Sequence, residues 1–214
     1  MKNEIINNEI KDTVEKDGFV YVKYNISYPV LKDEKHKEFS KKFNSFYETL
    51  GERFGEFAKT TLLKKAISIK TDDFVPFGAV MRYICAYDNN EIVSIVTDLS
   101  VFSGGQGVET KRLSQNWHRD KNRLLVYEDF FSNEEKKTII MGICEEVKLR
   151  IATERSAFFS DYEKRISKKF EKNNFYLTPK GYGFFYPSGT VSESKNTEVF
   201  FLLGYRGKGK INPY

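Results

Sequence analysis

Few side chains in this sequence of 214 residues are of a type and spacing suited to chemistry. It holds two histidines, His36 and His118. His118 stands two residues before Asp120, close enough in sequence for a carboxylate to orient an imidazole as a base. No serine or cysteine nucleophile is placed by spacing to complete such a set. His36 lies among Lys and Glu and reads as solvated. Glu128 and Asp129 are the adjacent carboxylates. Two carboxyls can divide acid and base roles when their surroundings separate their pKa values. These two fall in a stretch read as extended, where neighbouring side chains point to opposite faces. No His-x-x-x-His, Cys-x-x-Cys or acidic calcium loop occurs, so neither a metal site nor a cofactor is expected. Catalytic residues are therefore expected to be none.

Gly104-Gly105-Gln106-Gly107 is the segment closest to a phosphate-binding loop. It lacks the Lys-Ser/Thr of a P-loop, and a strand-like stretch follows it rather than a helix. Its glycines are expected to supply positive φ at a bulge or tight strand connection. Turn-rich rims over rigid sheets are where binding residues collect. The candidate binding residues are accordingly Gly104, Gly105, Gln106, Gly107, Trp117 and His118. Tyr21, Tyr83, Tyr87, Tyr182 and Tyr186 also sit on strand-like stretches. They form either a stacking platform or part of the core.

The elements that must position these residues follow from periodicity. Residues 1–17 read as a polar lead-in with at most a short strand or turn. Val20, Val22, Tyr24, Ile26 and Tyr28 alternate with polar or smaller partners, which predicts a strand with one face buried. Pro29 should end that strand or hold it at an edge. Phe39, Phe43, Phe46, Tyr47, Leu50, Phe54, Phe57, Ala58 and Leu62 recur in threes and fours, predicting a long helix over 34–66. Gly51 and Gly55 share one face of that helix, either tolerated there or marking a close approach.

Two strands are predicted over 78–102, turned by Asp88-Asn89-Asn90, then another over 108–117 and a short one at 124–126. Ser132-x-x-Glu135 is a capping box for a helix carrying Ile139, Ile140, Ile143, Cys144, Val147 and Ile151. A second helical stretch should carry Phe158, Phe159, Tyr162, Ile166 and Phe170. A hairpin over 175–186 and a strand over 197–205 close the chain. Segregated runs of this kind predict an α+β fold. Its largely antiparallel sheet is packed by one long helix and two shorter helices in the C-terminal half. One domain is expected over 18–205, divisible into lobes 18–76 and 77–205, with a basic tail at 206–214.

Composition fits a soluble globular protein. The hydrophobic fraction is 40%, the charged fraction 30% and the net charge +5. Disordered, collagen-like and disulfide-scaffold chains are excluded by these figures, by 14 Gly and 5 Pro, and by two cysteines. Cys85 and Cys144 should be buried free thiols, with a disulfide as the alternative. Nineteen Phe and 13 Tyr imply an aromatic core. No stretch reads as a signal peptide or membrane span, so the chain as given is expected in the cytoplasm, or outside it had a leader been removed. Nucleic-acid binding through the basic tail and exposed tyrosines is a weaker reading, and it requires steep salt dependence.

An ordered series of segments adds a resemblance. It runs from Tyr28-Pro29 before the long helix through Ile92-Val93-Ser94-Ile95 and Gly104-Gly105-Gln106-Gly107. Asn122-Arg123-Leu124, Tyr127-Glu128-Asp129-Phe130-Phe131 and Phe175-Tyr176-Leu177-Thr178-Pro179-Lys180-Gly181-Tyr182 complete it. Over 18–205 the chain resembles a bacterial domain of unknown function. That domain occurs in the extracytoplasmic portion of a lysozyme-sensing anti-sigma factor and as the N-terminal module of a peptidoglycan deacetylase. The resemblance implies an α+β binding domain without catalytic residues, whose ligand is a cell-wall glycan or a wall-associated protein such as lysozyme. The family's loop usually reads Gly-Gly-Ala-His-Gly, and here Gln106 stands with no histidine. Lysozymes are strongly basic, so a chain of charge +5 gains little long-range attraction to them.

Overall fold

The computed structural model describes residues 4–69, 71, 73–105, 107–154, 157–194 and 198–205. The α+β expectation holds. Six strands form one sheet in the order β1-β2-β3-β4-β5-β6: β1 (Glu4–Lys16), β2 (Phe19–Lys32), β3 (Phe77–Asp88), β4 (Ile92–Phe102), β5 (Val108–His118) and β6 (Arg123–Leu125). A second sheet has the order β7-β8-β9, from β7 (Phe175–Thr178), β8 (Gly181–Tyr186) and β9 (Val199–Gly204). The chain forms two compact units. Unit 1 comprises residues 1–84, 97–112 and 119–122, and unit 2 comprises 85–96, 113–118 and 123–214.

In unit 1 the alternation of β2 buries Val22, Tyr24, Ile26 and Tyr28. Against them lies α1 (Lys37–Phe57), which presents Phe39, Phe43, Tyr47 and Phe54. It continues through a π-helical turn (Ala58–Leu62) into α2 (Leu63–Ser68), so the helical run spans 37–68. At the π turn Thr60 Oγ1 donates to the Glu56 carbonyl at 2.6 Å. Asp33 organises the helix entry, its Oδ1 accepting the amides of Lys35 and His36 at 3.1 and 3.0 Å.

Gly51 and Gly55 mark a close approach. A Cβ on Gly51 would lie 3.1 Å from Tyr28 Cδ1 and 3.2 Å from Ile26 Cγ2. One on Gly55 would lie 3.3 Å from Ile26 Cδ1. The helical run also serves as the crossover that lets β2 and β3 pair in parallel, from Val22↔Phe77 to Ile26↔Met81. Pro29 lies inside β2, past the end of that pairing, where β1 is the strand paired with it. There the helix completes the backbone bonding. Leu31 N donates to Asn44 Oδ1 at 2.7 Å, and Asn44 Nδ2 donates to the Leu31 carbonyl at 3.1 Å.

The lead-in is the clearest difference from expectation. Residues 4–16 are a 13-residue strand, antiparallel to β2 over its length. Ile5, Ile6, Ile10 and Val14 are its half-buried positions and show no period of two. An edge strand with both faces partly wet lacks the alternation that marks a half-buried one.

Unit 2 has an aromatic core of Tyr127, Phe130, Phe131, Phe170, Phe175, Tyr182, Phe184, Tyr186 and Phe201, with aliphatic partners such as Ile143 and Val147. Rings meet mostly edge-to-face, as between Phe131 and Tyr182 at a centroid distance of 4.7 Å. The predicted capping box starts α4 (Asn133–Glu154). Ser132 N donates to Glu135 Oε2 at 2.6 Å, and Glu135 N donates to Ser132 Oγ at 3.2 Å. The second helix is shorter than expected. α5 spans Tyr162–Lys168, while Phe158 forms an isolated bridge with Ser192. Ile151 faces solvent on α4.

Neither cysteine is in a disulfide. Cys85 is exposed rather than buried, and Cys144 is half-buried. No helix among the described residues is long and apolar enough to cross a membrane.

Candidate functional site

The predicted site residues fall in two places. Gly104, Gly105 and Gly107 have φ of 43°, 75° and 106°, so the loop needs glycine for its left-handed backbone. A side chain at Gly104 would also strike the Val75 carbonyl oxygen at 2.9 Å. Gln106 lies outside the described residues, as does the basic tail. The three described glycines belong to unit 1. Trp117 and His118 belong to unit 2, at the end of β5, where they pair with Leu124 and Arg123 of β6. Both are buried, Trp117 to 1% exposure. Tyr21, Tyr87, Tyr182 and Tyr186 are core residues too, so they form no open stacking platform.

The carboxylate pair is dispersed into ion pairs. Glu128 and Asp129 sit on a single helical turn, α3 (Tyr127–Phe130), not on a strand. Arg123 grips Asp129 with two bonds of 2.7 and 2.6 Å, and Val126 N donates to the same carboxylate at 2.8 Å. Glu128 accepts from Lys172.

His36 is not solvated, since its side chain is only 11% exposed. Its Nδ1 lies 2.9 Å from Asp33 Oδ2 and its Nε2 lies 3.1 Å from Asp120 Oδ1. Asp33 Oδ2 also accepts from Arg119 Nε at 3.1 Å. Burial pushes the Asp33 carboxyl up, and the side-chain and backbone bonds from His36 outweigh it, leaving its pKa below the ordinary carboxylate value. Sequence reading passed over Asp33 and Arg119, because nothing local links residues 86 positions apart. This cluster is a tie holding the 119–122 turn to the start of α1. Among the described residues no group of three or more His, Cys, Asp or Glu is arranged to hold a metal ion.

The surface of unit 1 best suited to a ligand is the sheet face turned away from α1. Its composition follows from register. Lys23 and Asn25 of β2 pair with Gly78 and Val80 of β3, and with Thr13 and Lys11 of β1. On β4 and β5, Arg112 clasps Asp98 with two bonds of 2.6 Å, and Ser100 meets Thr110 at 2.8 Å. Phe102 ends β4 and Val108 begins β5, and both are exposed. A methyl at Gly78 would sit 3.2 Å from Phe102 Cδ2, so the absent side chain lets that ring lie down on β3. A shallow groove of about 540 Å³ runs over Lys11, Thr13, Lys23, Asn25, Gly78 and Val80. Asn25 Oδ1 is shielded from solvent and has no hydrogen-bond partner. Lys11 beside Glu9 holds that carboxyl below its usual range. The loop of Gly104, Gly105 and Gly107 joins the two strands that carry Phe102 and Val108.

Comparison with known proteins agrees with the resemblance read from the sequence. Residues 15–106 match a family model described as deacetylase PdaC, a span that includes β2, the helical run, β3, β4 and the first two loop glycines, Gly104 and Gly105. A member of the DUF3298 family from Bacteroides fragilis has a similar structure, with a TM-score of 0.69 and 13% identity over 95% of this chain and 90% of that one. A DUF3298-family protein from Pseudomonas aeruginosa gives a TM-score of 0.58 and 14% identity at the same coverage. At these identities the likeness is one of fold. No curated protein matches the chain.

Proposed function

We propose that this chain, whose residues 15–106 match a deacetylase-associated domain, is a non-catalytic binding module. Its ligand is a cell-wall glycan lying across the open sheet face of unit 1. The observation that carries the reading is the make-up of that face. Phe102 is 40% exposed over Gly78, on the sheet face that also carries Lys11, Lys23, Asn25, Ser100 and Thr110. A sheet face that combines an exposed ring with amide, hydroxyl and ammonium groups suits a hydroxyl-rich polymer with an apolar sugar face. The pairing of Glu128, Asp129, Asp98 and Asp33 with basic partners argues against paired-carboxylate hydrolysis. A wall polymer as ligand calls for an extracytoplasmic setting.

A strongly basic protein such as lysozyme is the less suited partner. Lys11 of the groove is paired with Glu9, and Lys23 lies alongside Asp12 in the lining, so the groove offers a basic protein no excess of negative charge. Retention on peptidoglycan fragments and on immobilised lysozyme separates the two. Glycan retention is expected, and Phe102→Ala should weaken it about tenfold. Retention on neither, or glycan binding indifferent to Phe102→Ala, ends the proposal.

A further inference from the structure

We infer that unit 2 carries a separate site for a small molecule or side chain that joins an apolar stem to a protonated amine. Phe131, the first half of α4 and strands β8 and β9 line a half-open pocket of about 270 Å³. Its walls are largely apolar, with Phe131, Ile139, Tyr182, Phe184 and Leu203 among them, and Glu135 supplies the carboxylate. A cavity of about 150 Å³ with Leu, Ile and Phe walls holds benzene, so the volume here accepts a ring or a six-carbon chain with its polar end. Gly142 leaves part of that space open. A Cβ there would only graze Leu203, at 3.4 and 3.7 Å from its methyl carbons.

Charge selects the head group. Glu135 is fixed in place because its Oε2 accepts the Ser132 amide in the capping box. Among the described residues no cation pairs with Glu135. An ammonium entering the pocket meets a positioned acceptor beside the Tyr182 ring, whose π face also favours a cation. An alcohol forgoes the charge, and a carboxylate ligand is repelled.

The test is a titration of the full chain with n-hexylammonium, 1-hexanol and hexanoate. It is followed by calorimetry and by the amide resonances of Thr138, Gly142, Leu202, Leu203 and Gly204. Hexylammonium should bind saturably at those amides, about tenfold more tightly than hexanol, and hexanoate should not bind. Glu135→Gln keeps a side chain that capping boxes accept, yet should reduce hexylammonium to the affinity of hexanol. Gly142→Leu should fill the pocket and abolish both. Phe102→Ala should leave all of this unchanged, which separates this site from the sheet face. Equal binding of the three probes, resonance shifts elsewhere on the protein, or a Glu135→Gln variant with undiminished ammonium binding overturns the inference. Mapping on the unmodified protein decides the matter even if Gly142→Leu does not fold.

Discussion

Arg119 Nε meets Asp33 Oδ2 at 3.1 Å across 86 residues of sequence, and neither side chain is exposed to solvent. Two charges removed from water offset their desolvation only through good geometry and further bonds. Asp33 has those further bonds, from His36 and from the amides at the start of α1.

Removing one partner should therefore be costly. Arg119→Met removes a cation from a buried carboxylate, and Asp33→Asn removes the charge from a carboxylate that a buried guanidinium meets. Each should lose about 3–5 kcal/mol in urea denaturation. The double variant should lose less than the sum of the two. Strict additivity would mean that the pair is not coupled.

The two helix glycines should respond with opposite signs. Alanine gains up to about 1 kcal/mol of helix propensity over glycine. At Gly51 the new methyl meets the Tyr28 ring and the branched Ile26 Cγ2 at 3.1 and 3.2 Å, so Gly51→Ala should be destabilising by about 1 kcal/mol. At Gly55 it meets only the movable Cδ1 of Ile26, at 3.3 Å, and Gly55→Ala should be neutral or stabilising. Thermal unfolding of the two variants side by side checks this.

The Tyr127 hydroxyl is buried without a hydrogen-bond partner. Tyr127→Phe should therefore raise stability by about 1 kcal/mol. Burial, aided by the Glu135 and Glu128 charges, pushes the Tyr127 pKa up to about 12. Burial and Glu135 raise Tyr182 to about 12 as well. The native state thus holds these protons at pH values where the unfolded chain releases them. Their stabilising contribution is complete below about pH 10 and is lost as pH rises towards 12, by up to about 1.4 kcal/mol per pH unit for each ring. Denaturation at pH 9, 10.5 and 11.5 should show this decline, and Tyr127→Phe should make it shallower.

Much of the fold was legible because it is written in local periods. The threes and fours of Phe39, Phe43, Tyr47 and Phe54 describe the face of α1 that is buried. Ser132 and Glu135 start α4 where a capping box must. The glycines of the 104–107 loop have the positive φ expected of them where they are described. The candidate ligand face was not legible, since its residues are read as a group only after four strand pairings bring them together. Trp117 was a candidate binding residue because it stands at the turn-rich end of a strand, yet it is almost fully buried.

By itself the sequence determined most of the helices and strands, where most turns lie, and that the core is aromatic. These depend on propensities and on side-chain spacing within a dozen residues. Tertiary structure alone decided that the polar segment of residues 4–16 is a strand, that β2 and β3 run parallel, and that Asp33 and Arg119 share a buried pair. Each of these depends on contacts between residues far apart along the chain. Charge and hydrogen-bonding capacity are visible in a sequence, but the partner that neutralises a buried charge or completes an edge strand is fixed only when the chain closes on itself.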